Sequence, residues 1–264
     1  VSKHFSLSQS SEAGDLRRIQ PTLSEHRNCR HSFDARIDQP GRGYRFTSDA
    51  VALAEFVRIA SDETLLDLCS GPAVVPLLLW QHSPFLRSVC VELDELLAAQ
   101  GRINVIENAL SSRIQVIQGD VRELPEQLLT HPAFLPPGGK FDVITANPPY
   151  WPVRSGRLNP NPQKEMARHE IALKLEELVQ KCSRLLTPGG RLYLCHLRSR
   201  ELELRQALER QHFYISRLEL IQGRNARVLV EAQLIQPSEH RGRSRRVTLQ
   251  PQNAAGIRAT SKET

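Results

Sequence analysis

From Gly41 to Ile235 the chain alternates short β-branched runs with helical patterns, and that alternation admits few folds. Strand and helix in strict succession signal an open parallel sheet with helices on both faces, because parallel neighbours need a long crossover between them. Helices are predicted over 49–59 (with Ser48 as N-cap), 73–81, 94–108 and, briefly, 121–129. Strands are predicted at 64–68, 87–92, 113–118 and 141–146. Further on, a helix over 173–186 ends at "TPGG", a strand follows at 191–196, and a helix covers 199–211. Two β-rich runs, 214–221 and 227–235, flank "QGRN" and read as an antiparallel hairpin closing the sheet.

The pattern divides the chain. Residues 1–40 form a polar arm without sustained periodicity, expected to be at most partly ordered; 41–236 form the α/β domain; 237–264 form a flexible tail. With 264 residues and 40% hydrophobic content, the chain can bury a full α/β core. Lys and Arg outnumber Asp and Glu by 35 to 29, and "HRGRSRR" at His240–Arg246 concentrates part of the excess, which favours a polyanionic partner. Five scattered cysteines with no Cys-x-x-Cys pair point away from a disulfide framework and from a zinc site, so a reducing cytoplasm and no metal are expected. The most apolar window, 64–80, is interrupted by Asp67, Ser70, Gly71, Pro72 and Pro76, a poor membrane span. The first residues, with Lys3, His4, Arg17 and Arg18, lack the apolar core of a signal peptide.

Three predicted strands end on a carboxylate. "LLDLCSGPA" puts Asp67 and a tight turn between the first strand and its helix, where open α/β sheets cradle nucleotides. "VCVELD" puts Glu92 at the end of the second strand, close to the spacing at which a carboxylate accepts from the two hydroxyls of a ribose. "VIQGDV" puts Asp120 after the third, where it can accept from the exocyclic amine of an adenine. Each alone reads more readily as a helix cap or loop former; in series they point to an adenosyl pocket. The fourth strand runs into "ANPPYWP", with Asn147, Pro148, Pro149, Tyr150 and Trp151.

In these motifs the chain resembles the class I S-adenosylmethionine-dependent methyltransferases, which implies a Rossmann-like seven-stranded sheet and S-adenosyl-L-methionine as cofactor. The family's Asp-x-Gly-x-Gly-x-Gly reads here as Asp67, Leu68, Cys69, Ser70, Gly71, Pro72, Ala73, so two of its three glycines are replaced. Glycine there permits positive φ and a close backbone approach, so the departure raises the prospect of weakened binding.

The resemblance also implies a role for the fourth-strand motif. An exocyclic amine is a poor nucleophile because its lone pair is delocalised into the ring. Two acceptors, the Asn147 side-chain oxygen and the Pro148 carbonyl, would hold its two N–H groups and aim the lone pair at the methyl group. Pro148 and Pro149 have fixed φ and donate nothing that competes. Tyr150 would stack on an extruded base; Trp151 is either a second wall or a cover for the loop.

Three families share such a motif. RNA cytosine-5 enzymes need a cysteine that none of the five supplies there. Release-factor glutamine methyltransferases carry a helical domain before the fold, for which the first 40 residues are too polar. The third match is closer: "GYRFTSDAVALAEF" (43–56), "ANPPY", "MARHEI" (166–171) and "NARVLVEAQLI" (225–235) resemble the bacterial tRNA (adenine-N6) methyltransferases acting beside the anticodon of valine tRNA. That resemblance implies tRNA as partner, Phe46 and Thr47 beside the cofactor or base, and phosphate contacts from Arg154, Arg157, Lys164 and Arg168, with His169 orienting the loop or touching substrate. A glutamine-N5 methyltransferase and a degenerate, RNA-binding methyltransferase fold stay open as alternatives.

Overall fold

The computed structural model describes residues 35–38, 48–81, 87–124, 134–148, 173–222 and 226–235. Among these residues seven strands form one sheet: β1 Thr64–Leu68, β2 Arg87–Glu92, β3 Ile114–Gln118, β4 Phe141–Ala146, β5 Leu186–Leu197, β6 Phe213–Ile221 and β7 Arg227–Leu234. Their order is β3-β2-β1-β4-β5-β7-β6. The first five are parallel, and β7 lies antiparallel between β5 and β6. The hairpin therefore closes the sheet as expected, with its second strand on the inside.

Among the described residues five helices cover the sheet: α1 Ser48–Phe56, α2 Val74–Trp80, α3 Glu95–Glu107, α4 Leu175–Leu185 and α5 Glu201–Arg210. Alternation along the strands sorts side chains to two faces, as the pleat requires. Leu65, Val143, Tyr193 and Leu229 face α1 and α2 in one apolar cluster, whereas Leu66, Ile144, Leu192 and Val230 face α4 and α5 in the other. Complete burial of such a side chain contributes about 1.5–3 kcal/mol, so the two layers supply the main driving force for folding.

Local chemistry explains most boundaries. Asp94 caps α3 by accepting from the Leu97 N–H at 2.9 Å. Helix α1 stops at Phe56, short of the predicted 59, and tertiary donors take carbonyls at and just past its end. Arg217 donates to the Phe56 carbonyl, and the Tyr193 hydroxyl donates to that of Arg58 at 3.1 Å. Only a 3-10 turn, Val121–Glu123, is present at the start of the short helix expected over 121–129; residues 125–133 lie outside the described set.

The "TPGG" segment differs from expectation. It lies inside β5, which begins at Leu186 instead of 191. Phe141 pairs with Leu186 and Val143 with Arg191, so residues 187–190 bulge opposite Asp142. Gly189 has φ +80°, and a Cβ on Gly190 would meet the Thr187 carbonyl oxygen at 2.9 Å. The glycines that looked like a helix stop are what the bulge needs.

Part of the expected arm is held. Ile37 is buried, and residues 35–38 run beside α3, where Asn104 and Asn108 bond their backbone.

Candidate active site

The carboxyl ends of β1 to β5 share one edge of the sheet because the strands are parallel. From β1 the chain winds outward to β2 and β3, then returns to build β4 and β5 on the other side, so the switch point lies between β1 and β4. Ligands of open α/β sheets bind in the crevice at that point. Leu68 pairs with Ala146 and with Val91, so Asn147 and Glu92 each lie one residue beyond the level of Leu68.

Asp67 sits on the β1 side of the crevice, opposite Thr145 in the register, and the Thr145 hydroxyl donates to its Oδ1 at 2.5 Å. Its Oδ2 is buried and has no hydrogen-bond partner among the described residues. Burial pushes the Asp67 carboxyl up to about 7; the Thr145 bond opposes this, and the charge of Glu92 adds to it. An acceptor so placed is matched by a cationic or N–H-bearing group of a ligand.

The turn after β1 resolves the question of the missing glycines. Cys69, Gly71 and Ala73 have φ of +55°, +54° and +63°. These are the three positions at which the resembled motif has glycine, so the backbone keeps the left-handed conformations without two of the glycines. A left-handed residue with a Cβ costs roughly 1–2 kcal/mol, strain that the surrounding packing must hold. Ser70 donates its N–H to the Val91 carbonyl at 3.2 Å, tying the turn to β2. The Ser70 hydroxyl is buried and, among the described residues, unpartnered. The Cys69 thiol is pushed well up, first by burial and then by Glu92 and Asp67, so it is a neutral wall of the turn.

Glu92 is almost fully buried and accepts from the Gly71 N–H at 2.7 Å and the Asp94 N–H at 2.9 Å. Burial raises its carboxyl, and the N–H groups of Asp94 and Gly71 pull it back down. It thus joins the turn after β1 to the start of α3. Asp120 follows β3 and caps the 3-10 turn, accepting from the Arg122 N–H at 2.8 Å and from the Arg122 guanidinium at 2.5–3.0 Å. That guanidinium holds the Asp120 carboxyl below the usual carboxylate range. Its approach to any ligand is therefore shared with Arg122.

Asn147 is half-buried and Pro148 buried, directly after β4. The structure thus brings Asp67, Cys69, Gly71, Glu92, Asp120, Asn147 and Pro148 to one edge. Phe46, Thr47, Pro149, Tyr150, Trp151, Arg154, Arg157, Lys164, Arg168 and His169 lie outside the described residues. Among the described residues no cluster of His, Cys, Asp and Glu could hold a metal, and no helix is long and apolar enough to cross a membrane.

Four residues at or behind the edge escaped the sequence reading. Thr145 and Ser70 carried no signal, since nothing local marks either as buried. Asn104 had one: it falls on the apolar stripe of α3 with Leu97, Gly101 and Val105, where a carboxamide is out of place. His196, at the end of β5, is buried, and desolvation followed by the charge of Arg200 pushes its imidazole down to about 4. It is neutral at physiological pH.

This strand order, with a tight turn after β1 and acidic residues ending β1 and β2, defines a Rossmann-like methyltransferase fold. A methyltransferase from Pyrococcus furiosus matches 77% of this chain and 90% of its own with a TM-score of 0.55, at 18% identity. No protein-family model matches the chain. It is 34% identical over 173 residues to the tRNA1(Val) (adenine(37)-N6)-methyltransferase of Porphyromonas gingivalis, covering 64% of this chain and 65% of that one. To the Bacteroides thetaiotaomicron protein of the same name it is 30% identical over 171 residues, covering 64% and 67%. The chain belongs to the tRNA1(Val) (adenine(37)-N6)-methyltransferase family. It spans just under two thirds of the length of the Porphyromonas relative.

Proposed function

We propose that the chain transfers the methyl group of S-adenosylmethionine to the exocyclic N6 of an adenine in tRNA, at position 37 of valine tRNA as in the relatives' name. The observation that carries this reading is Asn147-Pro148, which begins at the switch point one residue beyond the level of Leu68, as Glu92 does. When bound, the cofactor supplies an electrophilic methyl on a sulfonium.

The donor set fits that group. Asp67 Oδ2 suits the ammonium of the cofactor's amino-acid end, and the Ser70 hydroxyl its carboxylate; both atoms are buried and unpartnered among the described residues. Glu92, oriented by two backbone N–H groups, offers its remaining lone pairs to the ribose hydroxyls. The left-handed residues of the turn argue against the degenerate alternative, since the loop keeps its shape despite Cys69 and Ala73.

On the substrate side, the Asn147 side-chain oxygen and the Pro148 carbonyl accept from the two N–H groups of N6 and orient its lone pair. No strong base is needed, because the nitrogen loses its proton only as the new bond forms. Tyr150 and Trp151 stack on the base, and Arg154, Arg168 and His169 contact the RNA. Phe46 and Thr47 border the cofactor. The methyltransferase domain is taken to span 41–236, with residues 35–38 held against its helix α3.

Nucleoside mass spectrometry of tRNA incubated with the protein and S-adenosylmethionine tests the reading. N6-methyladenosine in wild-type reactions, absent with Asn147→Ala, is the expected result. Label entering only a release factor would replace it with the glutamine reading.

A further inference from the structure

Helix α3 comes close to the turn after β1 at Gly101. A Cβ there would stand 3.3 Å from the Val116 Cγ1, 3.4 Å from the Gly71 carbonyl oxygen and 3.4 Å from the Pro72 carbonyl carbon, a tight fit that glycine relieves. One turn on, Asn104 is completely buried. A carboxamide there is costly unless each polar atom is satisfied. Its Nδ2 donates to the Pro72 carbonyl at 3.0 Å and to the Asp38 carbonyl at 3.0 Å. Its Oδ1 accepts from the Asp38 N–H at 3.1 Å and from Gln100 Nε2 at 3.1 Å. Two carbonyls on one side and two N–H donors on the other allow a single amide orientation.

Asn108 repeats the backbone clasp one turn later, accepting from the Arg36 N–H at 3.0 Å and donating to the Arg36 carbonyl at 2.7 Å. Two asparagines of α3 thus hold residues 35–38 extended along the helix. The first of them also grips Pro72, the neighbour of Gly71. Proline has no N–H, so among its backbone polar groups only the carbonyl can anchor the turn there, and Asn104 takes it.

We propose that Asn104 is a positioning residue for the cofactor turn and that residues 35–38, through it, belong to the cofactor site, so that docking of this segment and cofactor binding favour each other. This rests on S-adenosylmethionine being the ligand of the turn. With Asp38 released, two of the four bonds that fix the Asn104 amide are gone, and its hold on Pro72 loosens. By linkage, whatever the docked segment adds to cofactor affinity, the cofactor adds to docking.

The test uses the full chain, with calorimetric titration of S-adenosylmethionine and hydrogen exchange at the Asp38 amide. Asn104→Asp keeps the size and the Oδ1 acceptor but sets an oxygen against two carbonyl oxygens. Asn108→Ala unhooks Arg36 and touches neither Pro72 nor Glu92. Asn104→Asp is expected to weaken cofactor binding roughly tenfold, the loss of about one buried hydrogen bond, and Asn108→Ala by a smaller factor. Cofactor should slow exchange of the Asp38 amide in the wild type and not in Asn104→Asp, a readout that a merely structural asparagine would not move. Wild-type affinity in both folded variants overturns the proposal, as does wild-type Asp38 exchange indifferent to cofactor. If Asn104→Asp fails to fold, Asn108→Ala and the wild-type exchange decide. A wild type that binds no S-adenosylmethionine sinks the cofactor reading itself, and this proposal with it.

Discussion

Asp67 concentrates the chemistry of the site in one side chain. Its carboxyl stands at about 7 in the folded state against 3.8 when exposed, so the folded chain binds that proton more tightly. For this group, stability of the free protein is greatest below pH 3.8, falls as pH rises to about 7, and is level above that. Glu92, also raised, adds to the fall; Asp120, held down by Arg122, acts in the opposite sense at lower pH. Urea denaturation across that window should show the slope reduced in Asp67→Asn, which cannot titrate. An ammonium placed on Asp67 favours the carboxylate, so calorimetry in buffers of different ionisation enthalpy should detect proton release on cofactor binding below pH 7, absent in the same variant. Thr145→Val removes the hydroxyl that donates to Asp67 and should destabilise by about 1–3 kcal/mol, read from the urea midpoint. Asn147→Ala should lower kcat by about a hundredfold or more and change cofactor affinity less, because it removes the acceptor proposed to hold the substrate amine. Asp67, Glu92 and Asn147 were legible because each ends a strand whose period is visible locally. Thr145 was not, since its partner lies 78 residues away.

Among elements, the turn after β1 and the hairpin of β6 and β7 carry the tests. Cys69 sits at φ +55°, and glycine there would remove left-handed strain at the expense of some unfolded-chain entropy and a little packing. Cys69→Gly should therefore stabilise the protein by up to about 1 kcal/mol, measured by thermal or urea unfolding. Arg217 of β6 lies 3.7 Å over the Phe56 ring, bonds the Phe56 carbonyl, and pairs with Glu231 of β7 at 3.0 Å. Arg217→Ala removes one of the anchors between α1 and the hairpin, another being the Arg227–Asp49 pair, and should cost about 2–3 kcal/mol in the same assay. Helix and strand identities were readable from periodicity and caps, as with Asp94 and β1, β2 and β4. Of the boundaries that moved, Leu186 moved because pairing with β4 carries β5 back across a bulge, and Phe56 lies where side chains of β5 and β6 reach the carbonyls at and past the helix end.

For the whole molecule, a net charge of +6 and the Arg-rich segment 241–246 suit a polyanion. If the tail contributes phosphate contacts, removing residues 237–264 should shallow the salt dependence of tRNA binding, measured by filter binding over a series of salt concentrations, without changing cofactor affinity. The sequence alone determined what depends on near neighbours: the alternation of strand and helix, the carboxylates at strand ends, the rigid Asn-Pro after the fourth strand, the hairpin. Tertiary structure alone decided that β7 lies inside β6, that "TPGG" is a bulge, that Cys69 and Ala73 are held left-handed, and that Asn104 joins residues 35–38 to the turn after β1. The physical reason is range. Propensity and capping act within a turn or two of the chain. Register, burial of a lone carboxamide and strain at a Cβ are fixed by groups that meet only once the sheet has formed.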